Sequence, residues 1–125
     1  MSVTISPEIR RFVLTSIPSV PHLEALLLLR AAEPEVWPGA RVAERLYIGE
    51  VATLKLLDEL CGAHMLGRQG DGYLYQPHSE RLRATIDELA DVYARHLVEI
   101  THLIHSRIDR QAQHFADAFR WRKDS

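Results

Sequence analysis

The stretch AERLYIGEVATLKLLDELCGAHMLGRQGDGYLYQP, residues 43–77, decides how this chain folds, because its hydrophobic period changes within it. Val42, Ala43 and Leu46 stand at helical spacing and predict a short helix from Gly39 to Leu46. Tyr47-Ile48-Gly49 reads as a tight turn, and a further helix is expected from about Glu50 to Cys61. Leu54, Leu57 and Leu60 mark its apolar face, with Val51 and Leu56 on the shoulders. Gly62 is suited to close that helix, since glycine takes a left-handed conformation without steric cost. Beyond His64 the pattern becomes that of a hairpin. Gly70-Asp71-Gly72 is a turn signal between two short runs, with Tyr73 and Tyr75 on one face and Leu74 on the other.

Working outward toward the N-terminus, residues 32–40 (AEPEVWPGA) hold two prolines and a glycine and must be a connection, with Trp37 expected across the end of the preceding helix. Ser19 can cap that helix, running from about Val20 to Ala32. Leu23 and Leu26 to Leu29 make it apolar nearly all round, as in a central core helix. Pro7 opens a shorter helix carrying Ile9, Phe12 and Val13. Toward the C-terminus, Ser79 caps the most strongly periodic segment of the chain. Leu82, Ile86, Leu89, Tyr93, Leu97, Ile100, Ile104 and Ile108 recur at steps of four or three. One helix over 80–108 would span roughly 43 Å, longer than a domain of this size needs for its own core. Its second half is therefore expected to pair with another copy through Leu89, Tyr93, Leu97, Ile100, Ile104 and Ile108. The alternative is that residues 7–18 fold back over it.

Short helix, turn, second helix and two-stranded wing together resemble the winged helix-turn-helix of MarR-like and related bacterial regulators. The resemblance covers about residues 22–79 and rests on Ala43 as the small contact residue of the first helix. Leu46 and Ile48 bracket the turn, Leu56, Leu57 and Leu60 enter the core, and Leu66 opens the wing. It implies a mostly α fold with a small β-hairpin wing and a long C-terminal dimerisation helix. The corresponding units are an N-terminal extension (1–20), the winged helix-turn-helix (21–79), the dimerisation helix (80–110) and an aromatic, basic tail (111–125). It also implies that the start of helix 50–61 enters the major groove of double-stranded DNA. The groove-facing residues would be Gly49, Glu50, Ala52, Thr53 and Lys55. Arg41 and Arg45, with Arg68 and Gln69 at the wing, would supply backbone contacts. The implied function is a dimeric, sequence-specific transcriptional regulator. The alternative is an adaptor that uses the same fold to bind another protein.

The remaining features narrow the class. With 125 residues, 46% of them hydrophobic, the chain is long enough for one folded domain. Fifteen Lys and Arg stand against seventeen Asp and Glu, a balance without the positive excess of non-specific nucleic-acid binders. Glu50 in particular would repel nearby phosphates. The single cysteine, Cys61, excludes an internal disulfide. The longest apolar run, Ala25 to Leu29, is too short to cross a bilayer, so a cytoplasmic protein without membrane contact is expected. Glu99, His102 and His105 follow steps of three but lack a convincing fourth ligand, so they read as a solvated or dimer-edge histidine row, with no metal and no cofactor. No phosphate loop, serine elbow or paired-carboxylate pattern is present, which argues against an enzyme. In the tail, Phe115 and Phe119 continue a helical face, and Trp121 lies among Arg120, Arg122 and Lys123, a set that can pack on a second subunit or grip a partner.

Overall fold

Three serines set the starts of three helices in the computed structural model, which describes residues 5–107. Ser6 Oγ accepts from Ile9 N (3.2 Å), Ser19 Oγ from His22 N (3.3 Å) and Ser79 Oγ from Leu82 N (3.1 Å). Each satisfies a backbone donor that the first helical turn leaves free. The helices they open are α1 (Pro7–Ser16), α2 (Val20–Ala31) and α5 (Glu80–Arg95). Between them lie β1 (Trp37–Pro38), α3 (Gly39–Leu46), α4 (Glu50–Gly62), β2 (Leu66–Gln69) and β3 (Gly72–Tyr75). The chain is helical again over 97–107, here called α6.

The fold is that of a winged helix, mostly helical with a small antiparallel sheet of order β1-β3-β2. α2 is the central post: Leu23, Ala25, Leu26 and Leu29 are wholly buried. Around them gather Ile9, Val13 and Ile17 from the N-terminal segment, Leu57 and Leu60 from α4, and Ile86 and Leu89 from α5. Burying each such leucine or isoleucine contributes about 1.5–3 kcal/mol, so this cluster is what holds the layers together. Polar ties fix α5 against the rest. Arg83 donates to both carboxylate oxygens of Glu33 (2.9 and 2.8 Å), Arg30 pairs with Asp87 (3.0 Å), and Tyr93 Oη donates to Glu24 (2.6 Å).

Four expectations are corrected. Trp37 does not simply cap a helix end; it enters β1 and pairs with Tyr73, so the hairpin is the larger part of a three-stranded sheet. Gly62 is the last residue of α4 and does not carry the left-handed turn; His64, at φ 65°, does. The buried face of α4 is Thr53, Leu56, Leu57 and Leu60, a rotation that leaves Val51 and Leu54 toward solvent.

The fourth concerns the long helix, which is not continuous. His96 leaves helical backbone (φ −135°, ψ 52°), so α5 and α6 are separate. Ile100, Leu103 and Ile104 are buried in the same cluster as Ile9 and Val13, and α1 lies against α5 with Ser6 Oγ 3.4 Å from Glu88 Oε1. Of the residues expected at a dimer interface, Leu89, Tyr93, Ile100 and Ile104 are therefore covered within one chain, and Leu97 is 53% exposed beside Val98 at 58%. The N-terminal segment supplies part of this cover, as the alternative of a fold-back over residues 80–108 requires. Ile108, Phe115, Phe119 and Trp121 lie outside the described residues. Among the described residues no single helix is long and apolar enough to cross a membrane.

Candidate nucleic-acid interface

The surface in question is built where α3 meets the start of α4. Val42 and Ala43 bury one side of α3, which turns Ala40, Arg41, Glu44 and Arg45 outward. The chain then reverses through Tyr47, which sits in the left-handed region at φ 57° and is 94% exposed. Gly49 opens α4 without a side-chain cap, so no capping side chain stands over the first turn of that helix. Glu50, Val51, Ala52, Leu54 and Lys55 are presented to solvent there, Val51 at 85% exposure.

Thr53 is not on this surface. It is fully buried, and its hydroxyl donates back to the Gly49 carbonyl (2.8 Å), which satisfies it inside the helix. Periodicity alone points it toward the groove when the helix phase is set on Leu54. With the phase set on Leu56 and Leu57, Thr53 turns inward and Val51 and Leu54 turn out.

The basic residues differ in how free they are. Arg41 pairs with Glu35 (2.9 Å) and lies over the Trp37 ring, 3.9 Å from its centroid. This cation–π contact holds the guanidinium against the protein. Arg45 lies farther from the same ring, at 5.9 Å, and it and Lys55 make no ion pair among the described residues. Arg68 on β2 pairs with Asp58 of α4 and sits 5.4 Å from the Tyr73 ring. Tyr73 Oη donates to the same Asp58 oxygen (2.8 Å). Asp58 is thus a latch between α4 and the wing, a link the sequence does not disclose because its partners are 10 and 15 residues away. The latch shows in the titration of its members: burial, then the Asp58 hydrogen bond, raises the Tyr73 hydroxyl, and the Asp58 contact raises Arg68. Gln69 and Asp71 lie exposed near the wing tip, with Gly70 supplying the positive φ of the turn.

The face is therefore mixed in charge. Glu44, Glu50, Asp58 and Asp71 alternate with Arg41, Arg45, Lys55 and Arg68, and an apolar strip of Tyr47, Val51 and Leu54 runs through it. An open depression between α3 and α4 is lined by Ala40, Ala43, Glu44, Tyr47, Ile48 and Glu50. Burial raises the Cys61 thiol above its ordinary value. Among the described residues no group of three or more His, Cys, Asp or Glu converges as metal ligands.

No family model and no curated relative matches the chain. Solved structures do resemble it. A point variant of ZitR from Lactococcus lactis aligns with 99% of this chain and 80% of its own, at 16% identity and a TM-score of 0.50. RV1404 from Mycobacterium tuberculosis aligns with 85% of this chain and 68% of its own, at 16% identity and a TM-score of 0.48. At such identity the likeness to ZitR is one of fold, and it agrees with the winged helix described above.

Proposed function

We propose that this chain is a DNA-binding transcriptional regulator acting as a homodimer. The observation that carries the reading is the uncapped first turn of α4, presented beside a wing within a winged helix-turn-helix. In this reading α4 enters the major groove. Lys55 reaches a guanine edge or phosphate, Glu50 accepts from a cytosine amino group, and Gly49 allows close approach of the backbone. Arg45 is the readiest phosphate contact, and Arg41, Arg68 and Gln69 flank it on either side of the helix. Pairing of two copies involves the exposed Leu97 and Val98 and the segment from Ile108 onward, the tail with Phe115, Phe119 and Trp121 included.

The apolar strip of Tyr47, Val51 and Leu54 favours a second reading, a winged-helix adaptor that docks another protein on this same face. One experiment separates the two. Purified protein is used to select duplexes from a random library at low and high salt. A regulator enriches one two-fold symmetric sequence, with log affinity falling by about 0.9 per phosphate contact as log salt rises. No enrichment at either salt refutes the regulator reading and leaves the adaptor.

A further inference from the structure

At the base of the wing, where the chain leaves α4 and where it later leaves β3, two histidines lie side by side. The rings of His64 and His78 have centroids 5.2 Å apart and planes inclined by 43°. Their backbones are tied together: His78 N donates to the His64 carbonyl (2.9 Å), and Gln76 N donates to the Met65 carbonyl (3.1 Å). Both side chains are exposed, and with Leu66, Gln76 and Pro77 they line an open cavity of about 300 Å³. His64 is held in this position by a left-handed backbone, φ 65°, that few residue types adopt readily.

We propose that His64 and His78 form a two-imidazole seat for a divalent transition-metal cation of the zinc class. The separation of the ring centroids is compatible with two imidazoles on one such cation. A metal–nitrogen bond of about 2.1 Å places each imidazole centroid roughly 3.2 Å from the ion, and two rings at a tetrahedral angle then stand roughly 5.3 Å apart. Exposure favours the reaction, since neither ring need be uncovered for the ion to enter. Two protein ligands leave coordination positions for water, and Gln76 lines the same cavity. Bound there, the ion would join the end of α4 to the start of α5 and close the base of the wing. This inference concerns residues away from the α3–α4 face and stands whether or not the chain binds DNA.

The test uses the full chain without DNA. Zn²⁺ is titrated calorimetrically into the wild type, His64→Asn and His78→Asn, asparagine being chosen because it tolerates the left-handed backbone. Loss of either ring should weaken binding at least tenfold, with the metal-free melting temperature of each variant within a few degrees of wild type. In a second measurement, sub-stoichiometric Cu²⁺ is added to ¹⁵N-labelled protein. Broadening confined to the amides of residues 64–66 and 76–78 supports the site. Broadening centred on residues 96–105 with the wing base left sharp overturns it, as does affinity unchanged in either variant or no binding at millimolar Zn²⁺.

Discussion

Replacing Asp58 by asparagine probes the latch between α4 and the wing with little change in shape. Two interactions change. Tyr73 Oη keeps an acceptor at 2.8 Å, but a neutral one; a hydrogen bond to a charged group is worth about 1.5–3 kcal/mol and to a neutral one about 0.5–1.5, so about 1 kcal/mol is lost. The Arg68–Asp58 pair is roughly half exposed on both sides, where an ion pair adds little to stability. The variant should therefore lose about 1–1.5 kcal/mol, a fall in melting temperature of about 4–6 °C for a chain of this size. DNA binding should move the other way. The substitution removes a negative charge from the proposed interface and releases Arg68 to meet a phosphate, so the salt dependence should steepen by about one unit. Affinity near 0.1 M salt should rise about threefold to tenfold. Thermal melts and a salt series on the selected duplex measure both. An Asp58→Asn variant as stable as wild type would refute the latch; a destabilised one with an unchanged salt slope would remove Arg68 from the interface.

Two glycines should respond in opposite senses to alanine. A Cβ on Gly72 would lie 2.5 Å from Val36 Cγ1 and 3.2 Å from the Trp37 carbonyl oxygen, so Gly72→Ala should cost about 1–3 kcal/mol in denaturant melts. Gly62 ends α4 with open space around it, and Gly62→Ala should gain about 0.4–1 kcal/mol. Burial and then the Glu24 carboxylate push the Tyr93 hydroxyl up to about 12 from its ordinary 10. A raised folded value means that the stabilisation is complete below pH 10 and is lost between pH 10 and about 12. Tyr93→Phe should flatten that alkaline limb of a stability–pH curve. Burial lowers His22 below its ordinary 6.5, against the weaker opposing pull of Glu59, so its contribution is complete above pH 6.5 and is lost as pH falls through the folded value. His22→Asn should accordingly make the stability between pH 7 and 5 less pH-dependent.

Much of the frame is legible in local signals. Ser19, Ser79, the Gly70-Asp71-Gly72 turn and the bounds of α3 each depend on residues within a few positions of one another. What escapes depends on partners far along the chain. Pro38 and Trp37 look like a connection, and only the approach of Gly72 and Tyr73 makes them a strand. Leu54 scores as core on periodicity, yet rotation of α4 toward Leu56 and Leu57 buries Thr53 in its place, because a back-bonded hydroxyl is no obstacle to burial. The break at His96 carries no proline or glycine to announce it. A heptad-like stripe records that its residues will be covered, not by which molecule, and α1 supplies part of the cover here. At the candidate interface the exposed residues of α3 and the wing can be named from sequence. Their internal partners, Glu35 for Arg41 and Asp58 for Arg68, cannot.

The strand order has a consequence for the wing as a moving part. An isolated hairpin frays from its ends, and residues beside its turn are ordered only by each other. Here β1 runs along the turn-proximal half of β3, so Gly72 and Tyr73 are paired on both edges while Leu74 and Tyr75 have β2 alone. Amide hydrogens at the tip side of β3 should then exchange as slowly as those of the core, and the wing should open only when the α2–α3 connection opens with it. Ordering a residue takes about 1–2 kcal/mol of backbone entropy, and a wing clamped in this way has given that up on folding. In the proposed complex with DNA it is a rigid template, so association loses little further freedom there.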